Sequence, residues 1–142
     1  MLASQRAELT REVVSIVTRV GRLGDLHDYC SIGDNGKLCK SLRKALEMHG
    51  TTCVVNDKEA APDDVSAVLE RCSMDPVGSF ERMDFQNISA NSALRGLKDE
   101  SFDLVSMMQG LHHLKPEQII FFLRAVLRIL RPGGLFIVRE HD

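Results

Sequence analysis

The sequence predicts an α/β fold, a three-layer αβα sandwich in which helices cover both faces of a mainly parallel sheet. Helical and strand-like patterns alternate along the 142 residues of the chain, as they do in proteins of this class. The clearest unit lies at 101–139, where an apolar run, a helix opened by Lys115-Pro116-Glu117, a Pro132-Gly133-Gly134 turn and a second apolar run follow one another. A strand, helix and strand in this order form a right-handed parallel crossover in almost all proteins.

The first half of the chain predicts two helices and two strands. An apolar stripe at helical spacing indicates an amphipathic helix over residues 3–20. We expect strand one at about 28–32, a turn at 33–36, and then a helix that Gly50 ends. The next strand should cover 52–55, because threonine and valine favour extended backbone. The stripe of the first helix consists of Leu9, Val13, Ile16, Val17 and Val20.

The second half of the chain continues this alternation. Pro62 and the two aspartates after it open a helix, because proline and acidic residues favour the first helical turn. An apolar run at 102–107 is long enough for a buried strand and too short for a helix. The remaining expected elements are a weak third strand at 79–83, a short helix at 92–97, a helix from Pro116 to Leu130 and a fifth strand at 135–138.

Composition and charge limit the kinds of protein and partner that fit. A chain of 142 residues with 44% hydrophobic residues can bury a full core. We therefore expect one domain over 1–142, with a lead-in helix at 1–26 and a core at 27–142. A formal net charge of -2 provides no global positive field that would attract nucleic acid. Nucleic acid therefore stays possible as a partner but is not favoured. Since no apolar run is long enough to span a membrane, we expect no membrane partner.

The four cysteines of the chain predict a reducing compartment. They lack the Cys-x-x-Cys spacing of many metal and redox sites, and they fall within predicted helices and strands. We interpret Cys30, Cys39, Cys53 and Cys72 as reduced thiols of the core, which favours an intracellular protein, cytoplasmic or nuclear, over a secreted one. The N-terminus also carries charges where a signal peptide needs an apolar segment.

Glycine and polar residues follow four of the predicted strands. Gly33-Asp34-Asn35-Gly36 follows strand one, Asp57 follows strand two, Asp84-Phe85 follows strand three, and the segment 110–114 follows strand four. The carboxyl ends of parallel strands meet at one edge of a sheet, where ligands bind beside the reversal of strand order. Each segment also has a plain structural interpretation as a turn, a cap or core packing.

Three segments carry a family resemblance: SFDLV at 101–105, LHHL at 111–114 and LRPGG at 130–134. Together they resemble the second half of the class I S-adenosylmethionine-dependent methyltransferases of type 11, and the resemblance covers residues 28–139. It implies a Rossmann-like sheet with strand order 3-2-1-4-5. It also implies the cofactor S-adenosylmethionine, the product S-adenosylhomocysteine, and transfer of a methyl group to a nucleophile that the sequence does not identify.

The resemblance further implies roles for individual residues. The loop at 33–36 matches the glycine-rich loop that contacts the methionine portion of the cofactor. Asp57 matches a carboxylate that accepts hydrogen bonds from both ribose hydroxyls, a task that suits an acceptor with two oxygens. Asp84 matches the residue that faces the adenine amino group, and Phe85 is placed to pack on the purine. The expected cofactor contacts are Gly33, Asp34, Gly36, Asp57, Asp84, Phe85 and Gln109.

His112 is the expected catalytic residue. The LHHL segment lies beside the reacting sulfonium in the family, and histidine has an unperturbed pKa near neutrality, so a general base is expected there. The alternative that both histidines pack or cap the loop before Lys115 stays open, because spacing does not separate the two. Methyl transfer also proceeds without a base when nucleophile and methyl are aligned. No metal site is expected, because no further ligands are spaced to complete one.

The chain departs from the family at two places. The first loop is one residue short and has Cys30 or Ser31 where the family has an acidic residue. The family's final antiparallel hairpin, which follows strand five, has no counterpart in this sequence, so strand five would be an exposed apolar edge. We therefore expect a partner subunit or a missing C-terminal segment to cover that strand.

Two alternative functions stay open. An inactive methyltransferase-like interaction module is favoured by the irregular first loop and the missing strands, and cofactor binding with measurable methylation would distinguish it from an enzyme. A nicotinamide-dependent dehydrogenase would share the glycine turn and the acid after strand two. It is the weaker alternative, because the segment from Gly33 to Gly36 does not form G-x-G-x-x-G.

Overall fold

The structure is a computed structural model, and it describes residues 3–34, 36–57, 78–108 and 110–140. Its strands are β1 (Tyr29–Ile32), β2 (Thr52–Asn56), β3 (Gly78–Arg82), β4 (Phe102–Met108) and β5 (Leu130–Arg139). The helices in the described residues are α1 (Ala3–Arg19), α2 (Cys39–Ala45) and α3 (Pro116–Ile129). Of these helices, none is both long and apolar enough to cross a membrane.

The five strands form one sheet with the order β3-β2-β1-β4-β5. Every neighbouring pair runs parallel, which confirms the predicted α/β class and strand order. Helices lie on both faces, and the three central strands β1, β2 and β4 are buried between them, as expected when crossover helices cover a parallel sheet. The core under α1 and α2 includes Leu9, Val13, Val17, Leu42, Val54 and Leu104. The core under α3 includes Ile32, Val55, Val105, Met107, Phe122 and Ile129.

The fifth strand begins directly after α3, at Leu130 rather than at Leu135, so the predicted boundary is wrong. Phe102 pairs with Leu130 and Leu104 pairs with Leu135, which leaves residues 131–134 bulging from the ladder. Pro132 has no amide hydrogen to contribute to a ladder. Gly133 has a φ of +81°, which a residue with a side chain rarely adopts. The Pro-Gly-Gly turn therefore lies inside the strand instead of preceding it.

The short helix expected at 92–97 is a series of turns in the structure. Leu94 has a φ of +52°, which is incompatible with a right-handed helix. Arg128 of α3 donates to the carbonyl oxygens of Leu94 and Leu97 at 2.7 Å each. These tertiary hydrogen bonds override the local helical preference. The helix expected from Pro62 and the thiol of Cys72 lie outside the described residues.

The two ends of the parallel strands define two edges of the sheet. The amino edge, where strands begin, consists of Asp28, Thr51, Asp103 and Arg131. The carboxyl edge, where strands have just ended, consists of Gly33, Asp57, Asp84, Gly110 and Glu140. The strand order reverses between β1 and β4, so a ligand crevice is expected at the carboxyl edge beside these two strands.

Candidate functional site

A cavity of about 400 Å³ opens at the carboxyl edge. Its lining comes from residues at and after the ends of β1, β2, β3 and β4, so four strands deliver side chains or backbone to one place. The volume lies within the usual range for small-molecule sites, about 300–1,000 Å³. The lining residues are Gly33, Asn56, Asp57, Asp84, Phe85, Gln86, Met107, Gly110 and His113.

Gly33 gives a ligand close access to the backbone after β1. Its φ is +92°, and its amide donates to the Val55 carbonyl oxygen at 2.8 Å, which extends the β1–β2 ladder by one residue. A Cβ at this position would meet no protein atom within 4 Å. Glycine is therefore required by the backbone conformation and not by crowding, and the space beside Gly33 is open.

The other predicted residues of the first loop, Asp34 and Gly36, are not among the residues that line the cavity. Asp34 Oδ1 accepts hydrogen bonds from the Ser31 hydroxyl and from the Gly36 amide. Oδ2 of Asp34 is buried and has no hydrogen-bond partner within the described residues. Burial raises the pKa of the Asp34 carboxyl, although the two hydrogen bonds oppose this. Asp34 and Gly36 thus shape the loop that presents Gly33, and their direct contact with a cofactor stays a prediction.

Asp57 is the available carboxylate of the cavity. It directly follows β2 and is exposed, and its amide donates to Asn56 Oδ1 at 2.9 Å. That bond fixes the backbone where the strand ends. The carboxylate itself makes no hydrogen bond or ion pair within the described residues. Both of its oxygens can therefore accept from a ligand that carries two neighbouring donors.

Asp84 is already engaged with its own turn. Its Oδ2 accepts from Asn87 Nδ2 at 2.7 Å, and its Oδ1 accepts from the Gln86 amide at 2.9 Å. These two hydrogen bonds lower the pKa of the Asp84 carboxyl. Each oxygen keeps a second lone pair, so Asp84 can hold the turn and still accept from a ligand. Phe85 next to it is partly buried against the core and forms an apolar part of the cavity wall.

Gln118 at the start of α3 connects the Asp84 turn to the helix. Its side chain is buried, Nε2 donates to the Gln86 carbonyl oxygen at 2.9 Å, and Oε1 accepts from the Lys115 amide at 3.0 Å. One amide group thereby caps the helix and holds a segment of the cavity wall in place.

The two histidines of the LHHL segment differ in their position relative to the cavity. His113 lines the cavity, whereas Nδ1 of His112 lies 2.7 Å from Glu140 Oε2. The two imidazole rings contact each other, with centroids 4.1 Å apart. His112 is therefore not part of the lining but contacts a ring that is, and its action as a general base stays a prediction.

Several residues of the site carry no clear sequence signal. Asn56 and Gln86 are recognisable only as neighbours of Asp57 and Phe85. The sequence around Met107 predicts a core residue. Its side chain reaches the cavity because Gly110 has no side chain, since a Cβ at Gly110 would lie 2.7 Å from Met107 Cε. Gln109, which was expected to contact the cofactor, lies outside the described residues.

One family model, described as a methyltransferase domain, matches residues 32–138. The matched range includes every residue that lines the cavity. No curated protein sequence matches the chain.

Solved structures share the fold at low sequence identity. An O-methyltransferase family protein from Burkholderia thailandensis is 14% identical with a TM-score of 0.63, and the match covers 92% of this chain and 37% of that one. A SAM-dependent methyltransferase from Archaeoglobus fulgidus is 16% identical with a TM-score of 0.53, and the match covers 89% of this chain and 51% of that one. Haemonchus contortus phosphoethanolamine N-methyltransferase 1, in complex with phosphoethanolamine and S-adenosylhomocysteine, is 17% identical with a TM-score of 0.56. That match covers 99% of this chain and 33% of the other. The chain thus spans between a third and about half of the length of these proteins.

Proposed function

The chain belongs to the methyltransferase-domain family, and from this premise we propose that it binds S-adenosylmethionine at the carboxyl edge and transfers its methyl group to a nucleophile. The observation that carries the proposal is the convergence of Gly33, Asp57, Asp84 and Phe85 on one cavity. A glycine that admits close approach, an available carboxylate and an aromatic ring suit a ligand with an amino-acid portion, a ribose and a purine.

In this proposal Asp57 is the main anchor of the cofactor. A ribose presents two adjacent hydroxyl donors, and the Asp57 carboxylate has two oxygens without partners in the described residues. Hydrogen bonds to an ionised acceptor are the stronger kind, and we take about 1.5–3 kcal/mol for the two together, because the ribose hydroxyls bond to water when the cofactor is free. Gly33 would contact the amino-acid portion of the cofactor through its backbone, with Asp34 and Gly36 holding its loop.

Asp84 and Phe85 would form the purine end of the site. An amino group on the purine can donate to a carboxylate oxygen of Asp84, and the Phe85 ring offers an apolar face for stacking. Gln109 follows β4 in sequence and belongs to the same rim in the proposal.

Bound S-adenosylmethionine supplies a methyl group that its sulfonium already activates. The contribution of the chain is to align an acceptor with that methyl and to exclude water. For an acceptor that must lose a proton, we propose His112 as the general base that takes it.

The test is a calorimetric titration of the chain with S-adenosylmethionine and with S-adenosylhomocysteine. We expect one-to-one binding, weakened about 10–100-fold by Asp57→Ala, because the lost hydrogen bonds are worth about 1.5–3 kcal/mol. Asp25→Ala is the matched control, since Asp25 is an exposed carboxylate 3.8 Å from Arg22 and outside the cavity lining. A folded wild-type chain that binds neither compound would contradict the proposal.

A second candidate function, an inactive methyltransferase-like interaction module, is supported by the first loop. Of the loop residues that the structure describes, Gly33 alone lines the cavity, and the Asp34 carboxylate turns back into the fold. Cofactor binding without transfer of a labelled methyl group, tested across small-molecule, protein and RNA acceptors, would favour this function over the enzyme.

We also propose that the open side of β5 is covered by a further segment or a partner subunit. Within the described residues β5 pairs only with β4, and Val138 on this strand is 37% exposed. Proteins usually pair or protect such an edge. For location, the thiols of Cys30 and Cys53 are buried and not in disulfides, which supports an intracellular protein, cytoplasmic or nuclear.

A further inference from the structure

The segment between β4 and α3 forms part of the cavity wall, and its leucines, Leu111 and Leu114, pack against the core whereas its two histidines lie at the surface. Gly110 and His113 line the cavity, and the residues 111–113 between β4 and α3 form a single 3-10 turn. Both histidines are exposed, and Leu111 is only partly buried. A short exposed turn of this kind opens easily unless another element holds it.

Glu140, which directly follows β5, reaches across and holds this turn at two points. Its Oε1 accepts from the Leu111 amide at 2.7 Å, and its Oε2 lies 2.7 Å from His112 Nδ1. The Leu111 amide is the first of the turn and has no acceptor within the turn itself, so Glu140 satisfies it as a cap would. One carboxylate therefore joins the end of β5 to the wall that follows β4.

The chemistry of this contact also determines where the hydrogen on the His112 ring lies. Burial opposes ionisation of Glu140, but hydrogen bonds from His112 and the Leu111 amide outweigh it and lower the pKa of the carboxyl. An ionised carboxylate only accepts hydrogen bonds, so Nδ1 must carry the hydrogen. Of the two neutral tautomers, the contact with Glu140 therefore selects the one with hydrogen on Nδ1, in which Nε2 is the acceptor nitrogen that a general base uses.

We propose that Glu140 is a positioning residue of the methyl-transfer site, which holds the 110–114 wall closed and His112 in the tautomer with hydrogen on Nδ1. This inference rests on the proposed function and assigns that site a residue after β5. Glu140 acts through its neighbours, because it does not line the cavity itself. The ring of His112 in turn supports His113, which does line it.

The test compares Glu140→Ala and Glu140→Gln with wild type by two measurements. Calorimetry with S-adenosylhomocysteine should show affinity lowered about tenfold in Glu140→Ala, as expected if the closed wall is populated in only about a tenth of the molecules. Glu140→Gln should recover part of that loss, because its amide oxygen still accepts from the Leu111 amide. Nitrogen NMR of the imidazoles should show His112 protonated at Nδ1 in wild type and no longer confined to that tautomer in Glu140→Ala.

Glu12→Ala is the matched control. Glu12 is also a carboxylate at this end of β5, where its Oε2 pairs with Arg139 Nε at 3.1 Å, and it does not touch the 110–114 wall. Its removal should change neither affinity nor tautomer. Urea unfolding of all variants ensures that a folded chain is compared.

Two results would overturn the inference, and they differ from each other. If wild type binds S-adenosylhomocysteine and Glu140→Ala binds it equally well, the role of Glu140 is wrong while the proposed function stands. If folded wild type does not bind it, the proposed function fails, and the role of Glu140 in that function fails with it.

Discussion

Asp103 at the amino edge of the sheet and Asp57 at the carboxyl edge have opposite environments. At the amino edge, Asp103 Oδ2 accepts from the amides of His27 and Asp28 at 3.0 Å each and lies 3.2 Å from Arg131 Nη1. At the carboxyl edge, the Asp57 carboxylate makes no hydrogen bond or ion pair within the described residues. The same functional group thus holds the fold together at one edge and is available to a ligand at the other.

Asp28 shows how fully the amino edge is engaged. Its Oδ1 accepts from the amide and hydroxyl of Thr51 at 2.7 and 2.9 Å, and its Oδ2 lies 2.5 Å from Arg131 Nη1. Burial opposes ionisation of Asp28 and of Asp103, yet hydrogen bonds from backbone amides and Arg131 outweigh it and lower the pKa of both carboxyls. The partners of a side chain, rather than its residue type, therefore separate the stabilising residues from the binding residues.

The largest expected effect on stability is that of Asp103→Ala. It leaves two backbone amides without their acceptor, and hydrogen bonds to a charged group contribute about 1.5–3 kcal/mol. We expect the free energy of unfolding to fall by about 2–3 kcal/mol, measured by urea denaturation, while the affinity for S-adenosylhomocysteine in the folded state stays unchanged. Asp103→Asn, which keeps one acceptor oxygen, should lose less. Equal losses in the two variants would contradict a role based on hydrogen bonding.

Alanine substitutions at two glycines, Gly33 and Gly24, test whether the backbone at the cavity contacts the ligand. Gly33 at the cavity and Gly24 away from it have φ of +92° and +87°, and a Cβ at either would meet no atom within 4 Å. Substitution by alanine should therefore destabilise both variants by a similar amount, about 1–2 kcal/mol of backbone strain. Only Gly33→Ala should also weaken binding of S-adenosylhomocysteine. Equal affinity of the two variants in calorimetry would argue against a backbone contact at Gly33.

The smallest expected effect is the pH dependence of stability at Asp34. Because its pKa is raised in the folded state from an ordinary value of 3.8, stability should be highest below that value and decline as the pH rises through the raised pKa. Asp34→Asn removes the ionisable group, so its stability relative to wild type should increase from acid to neutral pH. Asp28 and Asp103, with lowered pKa values, have the opposite sign: their contribution is present above 3.8 and is lost as the pH falls through the lowered values. If the free energies of unfolding of Asp34→Asn and wild type, measured by urea denaturation, change with pH in the same way, the pKa of Asp34 is not raised by burial.

Most of the fold follows from patterns within single elements. The apolar stripe of α1, the β-branched run of β2 and the Pro-Glu start of α3 each predict an element that the structure contains. The errors at 92–97 and at the start of β5 have tertiary causes, because Arg128 holds the first segment and the ladder with β4 incorporates Leu130. Neither contact is visible in the local sequence.

The site divides in the same way. Gly33, Asp57, Asp84 and Phe85 could be placed because each directly follows a strand, and the ends of parallel strands meet at one edge. The pattern HH does not reveal which histidine lines the cavity, since that depends on the path of a single 3-10 turn. Glu140 could not be found either, because it lies 28 residues from the histidine that it contacts.

The most direct test of the contrast between the edges measures two quantities on two variants. For Asp57→Ala and Asp103→Ala, the affinity for S-adenosylhomocysteine comes from calorimetry and the free energy of unfolding from urea denaturation. We predict that each variant loses one quantity and keeps the other. Asp57→Ala should lose about 10–100-fold in affinity, with its free energy of unfolding unchanged to within about 0.5 kcal/mol. Asp103→Ala should lose stability and keep its affinity. Loss of stability without loss of affinity in Asp57→Ala would show that the carboxyl edge serves the fold and would contradict the proposed site.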